Sequence, residues 1–243
     1  MAVDVNKNSY TFIFATAMVV VVGVILSAAA ISLKPMQDKN IENEKKQDIL
    51  STIGFDKGET SREKAAEIFP EFVKRQIVLN VSGEEVEGEA FKINLAKQVK
   101  LPREEQTWPL YIAEKDGKTF YVVPLRGKGL WGPIWGYISL EDDLNTIYGA
   151  SFDHKTETPG LGAEINKGFF QDQFVGKKIF DNGEFVSVAV VKGGASGQYE
   201  VDGISGGTIT SNGVDNMLED CISFYLPYFD KIEGGQMTMN AQE

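Results

Sequence analysis

From Phe12 to Ile31 the chain reads FIFATAMVVVVGVILSAAAI, twenty residues without a charge. An α-helix rises about 1.5 Å per residue, so such a run matches a hydrocarbon core about 30 Å thick. The pattern predicts one transmembrane helix over 12–33 behind a short tail, 1–11. A cleaved signal peptide competes, because Ser27-Ala28-Ala29-Ala30 resembles a small-residue cleavage region, but the apolar run exceeds a usual signal core and favours an uncleaved anchor. Charge leaves the orientation open: Lys7 precedes the span and Lys34, Lys39, Lys45 and Lys46 follow it, which by count puts the large domain inside, yet long domains translocate largely regardless of charge.

The remaining chain is long enough for one sizeable domain. A net charge of −11 argues against a nucleic-acid partner, since phosphate backbones require a basic face. A single cysteine, Cys221, excludes an internal disulfide and multi-thiolate metal sites, and reads as a core residue. A single histidine, His154, excludes multi-histidine metal sites. We assign no metal ligand and no catalytic residue.

Residues 34–80 read as a membrane-proximal helical region. Thr60 with Glu63 resembles a capping box, Pro70 is expected to break that helix, and Glu71 to Leu79 to resume it. Beyond residue 80 the pattern turns to strands. Tyr111 to Ala113, a turn at Asp116-Gly117-Lys118 and Thr119 to Leu125 predict a hairpin. Gly136–Leu140, Thr146–Phe152, Lys178–Ile179 and Val186–Val191 predict further strands, with a turn at Asp181-Asn182-Gly183. Val214, Met217, Leu218, Cys221, Ile222 and Tyr225 recur at helical spacing, with Ser211 or Thr210 as N-cap, Asp215 in the first turn and Pro227 at the end. The sum is an α+β domain over 81–230, an antiparallel sheet flanked by helices, followed by a tail over 231–243.

Three stretches carry chemistry. Asp202-Gly203-Ile204-Ser205-Gly206-Gly207-Thr208-Ile209-Thr210-Ser211 places glycines and hydroxyls where a helix begins, a place to hold or be bonded to a phosphate; a capped helix after a glycine turn is the plainer reading. Gly127–Gly136 (GKGLWGPIWG) concentrates glycine and tryptophan, whose rings can wall a flat ligand, face lipid or pack over the core. His154-Lys155-Thr156-Glu157-Thr158-Pro159-Gly160-Leu161-Gly162 is a rigid turn with hydrogen-bonding groups, a ligand contact or a structured loop.

Together with the N-terminal span, the HKTETPGLG loop and the DGISGGTITS segment resemble the FMN-binding domain of the C-subunit family of the sodium-translocating NADH:quinone oxidoreductase. GLWGPIWGYISL points to that family rather than to the similar G subunit of Rnf-type electron-transport complexes. The resemblance implies FMN bound through a phosphoester to Thr208, attached by a flavin transferase, with Ser205, Gly206, Gly207 and Thr210 beside it. Glu157, Thr158, Gly160 and Leu161 are then implied as neighbours of the flavin, and Asp202 as an aid to the transferase or its metal. Gly207 stands where the family more often has alanine. The implied role is an electron-carrier subunit, inactive alone, of an inner-membrane complex that couples NADH oxidation and ubiquinone reduction to sodium export. Its domain would face the periplasm and its partners would be the other subunits. NADH itself would bind elsewhere, since no G-x-G-x-x-G follows a strand. A membrane-anchored module gripping a free phosphate ligand is the alternative from another class.

Overall fold

The structure, a computed structural model, describes residues 7–240 and divides into two compact units, 1–44 and 45–243. The first is helical: α1 (Asn8–Thr52) has a mean hydropathy of 2.6 in its most apolar window and is long and apolar enough to cross a membrane. Its last residues, from Lys45 on, belong to the second unit, where Ile49 and Leu50 are fully buried.

The second unit is built on a six-stranded antiparallel sheet. Its strands are β1 (Val73–Asn80), β2 (Glu85–Val86), β3 (Thr107–Lys115), β4 (Lys118–Lys128), β5 (Pro133–Leu140) and β6 (Ile147–His154), in the order β2-β1-β3-β4-β5-β6. Successive side chains of a strand point to opposite faces, and here both faces are covered. Leu110 and Ile112 of β3, with Tyr121, Val123 and Leu125 of β4, join a core completed by Val214, Met217, Leu218, Cys221, Ile222 and Tyr225. Tyr111, Ala113, Phe120 and Val122 face the other way, onto Ile49, Leu50, Ile53, Ala65 and Phe69. The first layer is α5 (Thr208–Asn240); the second is the end of α1 with α2 (Arg62–Phe72). Two short helices, α3 (Leu95–Gln98) and α4 (Gly168–Gln171), lie in the connections.

The β3–β4 hairpin follows the sequence signal, with Asp116 and Gly117 both at positive φ, 53° and 77°, as a two-residue turn matched to strand twist requires. Asn182 and Gly183 do the same between β7 (Phe180–Asp181) and β8 (Glu184–Phe185). The antiparallel pattern has one exception among the described residues: β9 (Ala189–Val191) and β10 (Glu200–Asp202) run parallel.

Several local expectations are corrected. Residues 73–79 form a strand rather than a resumed helix, because Val73 to Asn80 pairs along nearly all of β3. Lys178 makes only an isolated bridge to Thr146, and Val186 to Val188 precede the strand that begins at Ala189. The cap of α2 is Ser61, whose side chain accepts the Lys64 N–H at 3.3 Å; Thr60 is buried, its carbonyl taken by the Gln47 amide at 2.6 Å. Pro70 and Pro227 lie inside helices rather than ending them. A proline removes one hydrogen bond, but burial of Tyr228 and Phe229 beyond Pro227 offsets that loss. Helix α5 starts at Thr208, so Thr210 and Ser211 sit in its first turn rather than capping it and Asp215 lies beyond that turn, and it runs on to Asn240 through the stretch expected as a tail from 231.

Tyr225 is fully buried and its hydroxyl donates to the Pro109 carbonyl of β3 at 2.8 Å, tying α5 to the sheet. Tyr225→Phe leaves that carbonyl short of a partner, and we expect a loss of about 1–3 kcal/mol, measured by urea unfolding of the detergent-solubilised chain.

Candidate functional site

The site forms where three connections meet at the end of β4. The first is the tip between β4 and β5, Gly129-Leu130-Trp131-Gly132, closed by the Gly129 N–H donating to the Gly132 carbonyl at 2.8 Å. Strand pairing ends at Lys128 and Pro133, so the amides of Trp131 and Gly132 have no cross-strand partner. The second is the loop after β6. There Leu161 N–H donates to the Thr158 carbonyl at 3.1 Å across Pro159-Gly160, with Gly160 at φ 75°, the pattern of a type II turn. The third is the start of α5. Gly206 has φ 75°, and a Cβ there would lie 2.7 Å from the Leu161 side chain, so only glycine suits the position.

Glu157 joins them. Its Oε1 accepts the N–H groups of Trp131 at 2.8 Å and Gly132 at 3.2 Å, and its Oε2 accepts the Thr210 hydroxyl at 2.6 Å. The residue is 5% exposed. Burial works against ionisation, but hydrogen bonds from the Thr210 hydroxyl and the amides of Trp131 and Gly132 outweigh it and hold the carboxyl below the usual range. His154 ends β6, and its Nδ1 accepts the Glu157 N–H at 3.2 Å.

The hydroxyls of the helix start are sorted by this packing. Thr210 is 1% exposed and bonded to Glu157. Ser211 is 4% exposed, and its Oγ accepts the Ile204 N–H at 2.9 Å. Ser205 and Thr208 are exposed, and among the described residues no hydrogen bond engages either hydroxyl. Thr208 opens a cleft of about 240 Å³ whose walls include Leu130, Trp131, Glu157, Thr158, Leu161, Gly206, Gly207 and Thr210. Gly162 and Ile209 complete it. The apolar wall is exposed: Trp131 is 67%, Ile209 57%, Leu130 47% and Leu161 42% accessible.

Of the residues singled out from sequence, this cleft gathers Glu157, Thr158, Leu161, Gly206, Gly207, Thr208 and Thr210. Gly160 and Ser205 instead line a neighbouring cleft of about 490 Å³ with Phe169 and Asp202. The Asp202 carboxylate accepts the Ala195 N–H at 2.8 Å, and Asp215 accepts the Val190 N–H at 2.8 Å, so both hold loops. Trp135 is half-buried under the Arg126 guanidinium, 5.6 Å from its ring, and Cys221 is a core residue whose thiol burial pushes up to about 12. Sequence reasoning missed a third cleft of about 250 Å³ on Thr208, lined by Val190 to Gly193, Ser205, Ser211 and Asn212. The Lys192-Gly193-Gly194 run, both glycines at positive φ, was the available signal.

A helix start with unpaired amides, an exposed threonine and a flat apolar wall define a flavin-nucleotide-binding class of site, and residues 129–223 match the family model of the FMN-binding domain. The chain is 31% identical over 240 residues to the C subunit of the Na(+)-translocating NADH-quinone reductase of Vibrio vulnificus, covering 88% of this chain and 91% of that one. It is 32% identical over 238 residues to the corresponding C subunit of Pseudomonas aeruginosa, with the same coverages, 88% and 91%. The crystal structure of the C subunit from Parabacteroides distasonis superposes with a TM-score of 0.75 at 48% identity, over 81% of this chain and 96% of that one. That of Shewanella oneidensis NqrC gives 0.68 at 26% identity, over 79% and 98%. The chain belongs to the family of Na(+)-translocating NADH-quinone reductase C subunits.

The lowered pKa of Glu157 sets a pH dependence. A carboxyl lowered in the folded state stabilises fully above its ordinary value of 4.5 and loses that contribution as pH falls through the lower folded value. The stability gap between wild type and Glu157→Gln should therefore stay level from about pH 7 to about pH 5 and close below that. Urea midpoints across this range measure it; a gap constant down to about pH 3 contradicts a lowered carboxyl.

Proposed function

We propose that this chain is the covalently flavinylated electron-carrier subunit of a membrane complex that oxidises NADH, reduces ubiquinone and exports sodium. The observation that carries the assignment of the linked residue is the sorting of hydroxyls: Thr208 is exposed on the cleft, while Thr210 and Ser211 are buried and already bonded. Ser205 is exposed too, but it does not line the cleft walled by Trp131 and Leu161.

Attachment uses a flavin nucleotide activated as a phosphoanhydride, brought by a flavin transferase. The Thr208 oxygen forms the new P–O bond, the anhydride bond breaks, the nucleotide leaves and the hydroxyl proton passes to solvent. The first amides of α5, at Thr208, Ile209 and Thr210, lack intrahelical partners and suit the phosphodiester charge. Trp131, Leu130 and Leu161 supply apolar surface for the flat ring, and Thr158 a hydroxyl at its edge. FMN, once bound, supplies one-electron transfer; the ester keeps it from diffusing away.

Within this reading residues 12–33 anchor the chain in the inner membrane, and the unit from Lys45 on, which includes α2 and β1 as well as the expected 81–230, carries the flavin on the periplasmic side. The other subunits of the complex supply the NADH and quinone sites. Asp202 remains assigned to engagement of the transferase, through its place beside Ser205 on the neighbouring cleft.

Intact mass spectrometry of the denatured full chain, expressed with a flavin transferase, tests the assignment. Wild type should carry one FMN-sized increment. Thr208→Ala should lose it completely, whereas Ser205→Ala should keep it; an unmodified wild-type chain contradicts the carrier reading.

A further inference from the structure

Trp131 is two-thirds solvent-exposed, so core packing does not fix its position. Its backbone is fixed from beneath. The amides of Trp131 and Gly132 lie at a hairpin tip with no cross-strand partner, and both donate to one oxygen of Glu157. The other oxygen takes the Thr210 hydroxyl, two residues past Thr208 on the first turn of α5. Three donors occupy a carboxylate with about four acceptor positions. The space around it is closed by glycine backbone: a Cβ on Gly129 would lie 2.6 Å from Oε1, and one on Gly162 would lie 2.6 Å from Oε2. The Glu157 amide is itself held by His154 Nδ1 at the end of β6.

We propose that Glu157 is a positioning residue, a buried clamp that fixes the Leu130–Trp131 wall relative to the Thr208 helix start and does not itself bond the flavin. It lines the cleft, but both its oxygens are committed to protein donors, and the proposal rests on the FMN reading only for its functional consequence. The cleft is formed by segments more than twenty residues apart on either side of Glu157, and an exposed wall keeps one geometry only if its backbone is tied down. Charge-assisted hydrogen bonds are the strongest available for that purpose. The glycines at 129 and 162 follow from the same requirement, since any side chain there displaces the carboxylate.

Geometry and charge separate in the conservative variant. In Glu157→Gln the amide oxygen still accepts the Trp131 and Gly132 N–H groups, and the amide nitrogen donates to the Thr210 hydroxyl. The clamp survives without its charge. Glu157→Ala removes all three bonds, and Gly162→Ala pushes on the carboxylate and the Thr210 hydroxyl without altering charge. Two readouts apply to the full chain expressed with a flavin transferase: hydrogen exchange of the amides over 129–132, and the covalent FMN fraction with its fluorescence yield.

Glu157→Ala and Gly162→Ala should speed exchange at the tip by about tenfold or more, the weight of one charge-assisted hydrogen bond, while exchange in the β1–β3 core strands stays at the wild-type rate. Both should reduce the FMN fraction and raise flavin fluorescence as the ring loses its wall. Glu157→Gln, which keeps the bonds but loses their charge assistance, should fall clearly between wild type and Glu157→Ala in tip exchange and keep most of the FMN fraction. Wild-type exchange at the tip in Glu157→Ala overturns the clamp, and so does a Glu157→Gln chain that behaves like Glu157→Ala, which would assign the effect to charge. The exchange readout decides the clamp whether or not FMN is attached, so failure of the covalent reading shows separately, as an unmodified wild-type mass.

Discussion

The close approach of α5 to the end of β4 is the contact on which the site depends. A Cβ on Gly127 would lie 2.7 Å from the Met217 side chain, and one on Gly213 would collide with the Lys128 carbonyl. With hydrogens at both positions the helix backbone comes down onto the strand, and burial of Val214, Met217 and Leu218 holds it there. That contact carries the first turn of α5 to the hairpin tip that immediately follows Lys128. The loop after β6 arrives beside them because β6 is the neighbour of β5, whose start forms the other side of the same tip.

A division of labour among similar side chains follows. Thr208, Thr210 and Ser211 lie within four residues, yet one faces solvent, one bonds a carboxylate and one secures the preceding loop through Ile204. In the first turn of a helix each residue advances about 100°, so neighbours face different surroundings. The exposed position alone is open to chemistry from outside. The apolar residues left accessible around it, Leu130, Trp131, Leu161 and Ile209, form a contiguous exposed rim of the kind that marks a binding site rather than an ordinary surface.

Much of the scaffold was legible because its signals are local. The Asp116-Gly117 turn is set by backbone sterics at two residues, and the apolar stripe from Val214 to Tyr225 by helical period. The failures share a cause in tertiary packing. Val73 to Asn80 carries no strict alternation, and only pairing with β3 makes it a strand. Pro70 and Pro227 stop helices in isolation, but Phe69 on one side and Tyr228 and Phe229 on the other are buried whether or not a hydrogen bond is lost. The cap at Ser61 rather than Thr60 depends on Thr60 being drawn inward by Gln47.

By itself the sequence determined that one end of the chain is an apolar span and that an antiparallel sheet is flanked by helices. It also determined that glycines and hydroxyls crowd the start of the last helix, for these follow from hydropathy, period and backbone sterics within a few residues. Only the tertiary structure decided which hydroxyl is accessible, that Glu157 commits both its oxygens to the protein, and that a tryptophan from one hairpin faces a threonine from a distant helix. Burial and hydrogen-bond partnership are properties of what surrounds a residue, and here the surroundings come from segments far apart in the chain.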